Sequence, residues 1–205
     1  KSFSQAYHML LPKKEKRFNF TDVAMNTLSF PQMIISQTLL EIPQGLTISE
    51  RSQNSIHISY LHWKGTIQSD STVKASRIRL MVVRDTASDS ATLDTTNWTN
   101  LLSGSNFSNV TVTGLQQDLR RPIQKNRQRV YFDRYIEIPR EAEGNVYFNH
   151  KVKINHKAYY ERNNATAIIP FTGRMHAIAL LCESDNVVSG VSRIFNSEIR
   201  LFFKD

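Results

Sequence analysis

Ile56-His57-Ile58-Ser59-Tyr60-Leu61 alternates Ile56, Ile58 and Tyr60 with His57, Ser59 and Leu61, which places the first three on one side of the chain. Residues 77–83 repeat the pattern, with Ile78, Leu80 and Val82 in the apolar phase. A period of two is typical of a half-buried β-strand. Both segments are therefore predicted to be strands, and a regular strand places His57 and His62 on opposite faces.

The same period recurs along the rest of the chain. Residues 18–25 and 33–42 are apolar and β-branched enough for two more strands, the second closed by Pro43-Gln44-Gly45. Further apolar sets that share a face are Val130, Phe132, Ile136 and Ile138; Val146, Phe148, Val152 and Ile154; Ala177, Ala179 and Leu181; and Ile199, Leu201 and Phe203. The chain is predicted to be all-β as far as its last strand, residues 198–204.

One segment favours a helix. Residues 92–102 place Leu93, Trp98 and Leu101 near one helical face and are followed by Gly104. The chain has only 7 glycines and no Asn-Gly or Asp-Gly pair, so two-residue hairpin turns are not its usual connection. These features predict a sandwich or jelly roll whose strands often cross between sheets, with a short helix in a connecting loop.

The charge of the protein is concentrated in three clusters. The chain has 26 Lys and Arg against 18 Asp and Glu, a net charge of +8. Residues 13–17 carry +3, residues 120–129 carry +5 and residues 148–157 carry +3. Clustered cations beside aromatic residues suit phosphate neutralisation and base stacking. The nucleic-acid-binding residues are predicted to be Lys13, Lys14, Lys16, Arg17, Arg120, Arg121, Lys125, Arg127, Arg129, Lys151, Lys153 and Lys157.

Two other interpretations of these clusters stay open. Each cluster also fits a solvated loop or strand face. The 120–129 cluster also fits an outward loop that binds a receptor or a heparin-like polyanion. Among the aromatic residues, Trp63 is interpreted as a core or subunit-contact anchor, and Phe202, which breaks the alternation of the last strand, as a subunit contact.

Catalytic motifs are absent from the sequence. It contains no GxSxG, GxxxxGK[ST], GxGxxG or HExxH pattern. Cys182 is the only cysteine, which excludes an intrachain disulfide and a cysteine-based zinc site. His150 and His156 share a face of a regular strand but lie about 20 Å apart, too far to bind one metal. The protein is predicted not to be an enzyme, with no catalytic residue, no metal and no cofactor.

The beginning of the chain carries little targeting information. Lys1 stands where a Met is expected, which suggests that a preceding segment was removed, and residues 1–7 lack the apolar core of a signal peptide. No apolar run approaches the roughly 20 residues that span a bilayer. No membrane span is expected.

The order of these motifs resembles the capsid proteins of small circular Rep-encoding single-stranded DNA viruses, the circovirus, nanovirus and geminivirus group. Residues 51–67 are similar to the "R-x-G-x-x-I-x-I…G-x-I" strand, although Ser55 stands in a stretch where Gly is frequent. Residues 78–85 resemble the "R-x-x-x-V-x-D" strand, here followed by a Thr/Ser-rich loop. Further similar segments, in order, are 93–102, 129–135, 148–156, 173–181 and 199–205.

The resemblance implies a single eight-stranded jelly roll of two antiparallel sheets, icosahedral self-assembly, packaging of a single-stranded DNA genome, and residence in the virion and the host nucleus. On this basis residues 1–17 are interpreted as the remnant of a basic N-terminal arm and residues 18–205 as the capsid domain. Possible partners include a host receptor or nuclear import factor. Alternatives are the capsid protein of a small RNA virus or satellite, and a lectin-like or cytokine-like sandwich that binds a glycan or receptor.

Overall fold

Eight β-strands make up most of the described chain. A computed structural model describes residues 15–29, 34–69, 76–86, 123, 128–138, 144–160, 173–183 and 192–205. The strands are β1 (Lys16–Ser29), β2 (Ile34–Leu39), β3 (Ser55–Ser69), β4 (Ser76–Asp85), β5 (Gln128–Ile138), β6 (Gly144–Tyr159), β7 (Met175–Glu183) and β8 (Ser192–Lys204). These ranges contain no helix, and hence none that could cross a bilayer. The all-β prediction is confirmed, whereas the helix predicted at 92–102 lies outside the described residues.

The strands form two four-stranded antiparallel sheets. The first sheet has the order β1-β8-β3-β6 and the second the order β2-β7-β4-β5. Only β4 and β5 are consecutive along the chain and neighbours in one sheet. Every other connection passes from one sheet to the other, as the scarcity of tight-turn sequences predicts.

The hydrophobic core lies between the two sheets. The last strand is part of it, because β8 pairs with both β1 and β3, and Ile199, Leu201 and Phe203 are fully buried. This confirms that the C-terminal segment is an integral strand. Other core residues of the first sheet are Ile56, Ile58, Leu61, Trp63, Ile67, Phe148, Val152 and Ile154.

Strand β3 departs from the regular alternation predicted for it. Its pairing with β8 and with β6 shifts register between Ile58 and Tyr60. Relative to β8 the strand gains one residue at this point, which is a β-bulge. Leu61 is therefore buried in the core, and Tyr60 lies on the opposite side. The predicted phase was wrong beyond Ser59.

Strand β4 is buried on both faces and is not the half-buried strand predicted. Ile78, Leu80 and Met81 are all fully buried, although Met81 points to the face opposite to that of Ile78 and Leu80. Arg79 is buried as well, and its guanidinium donates two hydrogen bonds to the carboxylate of Asp133, at 2.8 and 2.7 Å. This bidentate pair satisfies the buried charge.

The end of β8 is tied to the start of β1. Lys16 lies in β1 opposite Phe203, two residues before the boundary predicted for the sandwich. Its ammonium group contacts the carboxylate of Asp205 at 2.5 Å and donates to the carbonyl of Glu50 at 3.0 Å. Asp205 also accepts hydrogen bonds from the backbone N–H and the hydroxyl of Ser52. These contacts fix the edge of the first sheet.

Candidate nucleic-acid interface

The outer face of the first sheet brings together the side chains of seven of the sixteen Lys and Arg residues in the described ranges. Directly opposed residues of antiparallel strands point to the same side, so the register defines rows across the sheet. We call this surface the basic face. Its rows are Lys157–His57–Lys204; Lys153–Tyr60–Phe202–Arg17; Lys151–His62–Arg200–Asn19; and Asn149–Lys64–Glu198.

The charge of the basic face is strongly positive. Its acidic side chains within the described part of the chain are Glu198 and, just before β1, Glu15. Glu198 lies 2.9 Å from Lys64 and 2.5 Å from Arg200, and hydrogen bonds from these two cations lower its pKa. The lysines of β6 (Lys151, Lys153, Lys157) are exposed. This surface therefore attracts polyanions.

Aromatic rings stand among the cations. The Lys151 ammonium lies 4.0 Å from the ring centre of Tyr60, and the Lys157 ammonium lies 5.0 Å from that of Tyr159. The ring of Phe202 stacks on Tyr60 with a centroid distance of 4.3 Å. Burial and the nearby Glu15 carboxylate raise the pKa of Tyr60. The face thus combines positive charge with ring surfaces, the two elements that single-stranded nucleic acids bind.

The predicted binding residues fall into three groups. Arg17, Lys151, Lys153 and Lys157 come together as exposed side chains on the basic face. Lys16 and Arg129 are described but lie elsewhere. The remaining predicted residues lie outside the described parts of the chain: Lys13, Lys14, Arg120, Arg121, Lys125 and Arg127.

Lys16 and Arg129 differ from the other described cations in their surroundings. Lys16 is opposite the core residue Phe203, and it contacts Asp205. Because it belongs to the paired strand β1, Lys16 is not part of a free arm. Arg129 is exposed but lies in β5 of the second sheet, with its guanidinium 5.5 Å from the ring centre of Tyr131.

The two predicted contact aromatics have different positions. Phe202 lies on the basic face and is only partly buried, as its break in the alternation predicts. Trp63 is 1% exposed and packs edge-on against Phe148, with ring centres 6.0 Å apart. Of the two roles predicted for Trp63, its burial matches the core anchor and not a surface contact.

The sequence prediction missed five members of the basic face: Lys64, Arg200, Lys204, His57 and His62. The alternation of β8 gives Arg200 and Lys204 the phase opposite to its core residues, whereas Lys64 reaches the outer face only because the bulge reverses the phase of β3. The histidines were assigned to opposite faces because the bulge at Ser59 has no clear sequence signal. With the bulge, His57 and His62 both point outward, opposite Lys204 and Arg200 respectively.

A contact between Arg84 and His156 connects the two sheets. The guanidinium Nη1 of Arg84 lies 3.1 Å from Nε2 and 3.2 Å from Nδ1 of His156, which joins β4 to β6. Burial lowers the pKa of His156 to about 4, and the charges of Arg84 and Arg129 contribute. The imidazole is therefore neutral at pH 7 and accepts a hydrogen bond from Arg84.

Among the described residues, no three His, Cys, Asp or Glu side chains converge as metal ligands. A depression of about 620 Å³ lies at the end of the basic face, lined by Lys64, Gly65, Tyr147, Asn149 and Glu198 among others. The one carboxylate among these five side chains is paired with Lys64.

In comparisons with known proteins, the sequence matches no protein-family model and no curated protein.

Proposed function

We propose that this protein is a structural viral capsid subunit with a jelly-roll fold, which assembles into an icosahedral shell and packages single-stranded DNA. The strand order supports the jelly roll. In that fold two four-stranded antiparallel sheets are built from strands that alternate between the sheets, and the orders β1-β8-β3-β6 and β2-β7-β4-β5 have this form.

The observation that carries the nucleic-acid part is the basic face. Arg17, Lys151, Lys153 and Lys157 lie on one side of one sheet together with Lys64, Arg200 and Lys204. A β-sheet face of this kind neutralises phosphates and releases counterions without reading base edges. Binding is then independent of sequence, as a packaging protein requires. The 120–129 cluster supplies further phosphate contacts in this proposal.

Exposed apolar side chains on an ordered loop support self-assembly. Leu46 is 98% exposed and Ile48 is 52% exposed. Their loop is held by hydrogen bonds from Gly45 N–H to the Arg51 carbonyl (2.9 Å) and from Thr47 N–H to the Glu50 carboxylate (2.9 Å). An ordered loop that exposes two large apolar residues suits a contact with a second copy of the chain. Phe202 is proposed as a further contact residue.

The proposal places the mature protein in the virion, with assembly in the host nucleus and possible contacts with a receptor or an import factor. No membrane span belongs to it. Electron microscopy of the expressed protein, combined with nuclease digestion of the purified particles, tests the function. Closed shells that protect single-stranded DNA are expected. Shells that protect RNA point to an RNA virus or satellite, and a monomer under all assembly conditions contradicts the proposal.

A further inference from the structure

A continuous stack crosses three strands of the basic face. Phe202 of β8 lies directly opposite Tyr60 of β3, and the two rings are nearly parallel, with an interplanar angle of 15°. Lys151 of β6 covers Tyr60 at 4.0 Å. Since β6 and β8 flank β3 on opposite sides, Phe202 and Lys151 occupy the two faces of the Tyr60 ring.

The second face of Phe202 is directed toward β1. The residue opposite Phe202 in that strand is Arg17, whose side chain is exposed and points to the same side of the sheet. A planar guanidinium on a flexible stem stacks on flat rings. Phe202 and Arg17 thus flank a position where a planar group extends the existing stack.

The cations around this position match a nucleic-acid backbone. Lys153 ends the same row, and Arg200 precedes Phe202 by two residues on the same face. Phosphates on these cations leave the attached bases free to turn toward Phe202. A duplex keeps its bases stacked inside, whereas a single strand exposes them.

We propose that Phe202 is a base-stacking platform, on which a nucleobase of a single strand lies between the Phe202 ring and the Arg17 guanidinium. This inference rests on the proposed function and assigns the contact with a base to one residue of the basic face. Tyr60 and Lys151 support the platform from behind, because they hold the Phe202 ring upright on the sheet.

Binding of two labelled oligonucleotides, followed by fluorescence anisotropy at one fixed salt concentration, tests the platform. One is an oligodeoxythymidine and the other an abasic strand of equal length and charge. Phe202→Leu keeps apolar volume but removes the ring, so we expect about a 5- to 150-fold loss of affinity for oligodeoxythymidine, the equivalent of stacking one base. Affinity for the abasic strand is expected to stay the same. The matched control is Tyr135→Leu, which removes an exposed ring, 43% accessible, from β5 of the second sheet.

The outcomes separate the platform from the proposed function. If Phe202→Leu leaves the preference for bases over the abasic strand unchanged, the platform is wrong, even where the variant impairs shell formation as a subunit contact. Lys153→Gln with Lys157→Gln tests the basic face independently, since it should weaken both oligonucleotides equally. If Phe202→Leu loses the preference for bases while the lysine changes have no effect, the platform is supported. The role of the basic face in phosphate binding is then wrong.

The platform can also be tested on the original protein, so that the result does not depend on whether the Phe202→Leu variant folds correctly. Ultraviolet crosslinking with an oligonucleotide that contains 5-iodouracil joins the base to an aromatic ring stacked on it. Peptide mapping is expected to find the crosslink at Phe202. Crosslinks confined to other peptides contradict the proposal.

Discussion

Arg84 and His156 join the two sheets: the guanidinium Nη1 lies 3.1 Å from Nε2 and 3.2 Å from Nδ1 of the imidazole. Arginine only donates, so one of the two ring nitrogens must accept and the imidazole must be neutral. Burial, Arg84 and Arg129 together lower the pKa of His156 to about 4, from an ordinary value of 6.5. A contact that needs an uncharged histidine makes the association of the sheets sensitive to acid.

The protein should therefore lose stability as the pH falls from about 6.5 toward about 4. In this window the unfolded chain binds a proton at His156 and the folded chain does not, so the free energy of unfolding decreases with decreasing pH. Urea unfolding at pH 7 and pH 5 measures the loss. His156→Gln should show a smaller loss between the two pH values, and an equal loss in both proteins would refute the assignment.

Phe203→Ala should lower the free energy of unfolding by about 3–5 kcal/mol, the range for a buried phenylalanine. Phe203 is fully buried in the core. Its neighbour supplies the control, because Phe202 lies on the opposite face and is only partly buried. Phe202→Ala should leave the monomer close to the original stability. Thermal unfolding measures the stability of both variants. An unchanged midpoint for Phe203→Ala is incompatible with the observed register of β8.

Gly173→Ala should destabilise the fold by about 1–3 kcal/mol. Gly173 has a φ angle of +91°, and a Cβ at this position overlaps the carbonyl oxygen of Asp85. The Asp85 carbonyl belongs to the backbone of a paired strand, so it cannot move aside as a flexible side chain can. Gly45→Ala is the comparison, since a Cβ there meets only the carboxylate end of Glu50. Chemical denaturation should rank Gly173→Ala as the more damaging, and the reverse order would show that β4 and residue 173 are not packed as described.

Leu46→Ser should weaken assembly without changing the stability of the monomer. The side chain is 98% exposed, so its removal costs no core contact. In a shell, however, a neighbouring subunit would cover the Leu46 side chain, so its removal would reduce the apolar area buried between subunits. Light scattering over a range of protein concentrations measures the change. If Leu46→Ser forms particles at the same protein concentration as the original protein, this loop is not part of the subunit interface.

The first sheet shows what sequence patterning predicts well. The alternation of Ile199, Leu201 and Phe203 with charged residues placed β8 and its core face correctly, because one buried face imposes a strict period of two. In β3 the same rule failed beyond Ser59, where the bulge reverses the phase and moves Tyr60 to the outside. A bulge depends on how neighbouring strands align, which no local pattern encodes.

The basic face was predicted only in part for the same reason. Lys151, Lys153 and Lys157 form a local cluster in the sequence, so they were found together. Arg200 and Lys204 belong to a strand distant in sequence, and only the pairing of β8 with β3 brings them beside His62 and His57. Lys16 was assigned to an arm because its pairing with Phe203 is equally non-local.

The salt dependence of single-strand binding tests the role of the basic face most directly. Affinity for a labelled oligodeoxythymidine is measured across salt concentrations for the original protein, for Lys153→Gln with Lys157→Gln, and for Arg77→Gln as control. Arg77 is an exposed cation of the second sheet that is paired with Glu137 at 3.0 Å. The slope of log K against log salt should flatten by about 0.7 for each lysine removed and stay unchanged for Arg77→Gln. An unchanged slope in the lysine variant would contradict nucleic-acid binding by this face.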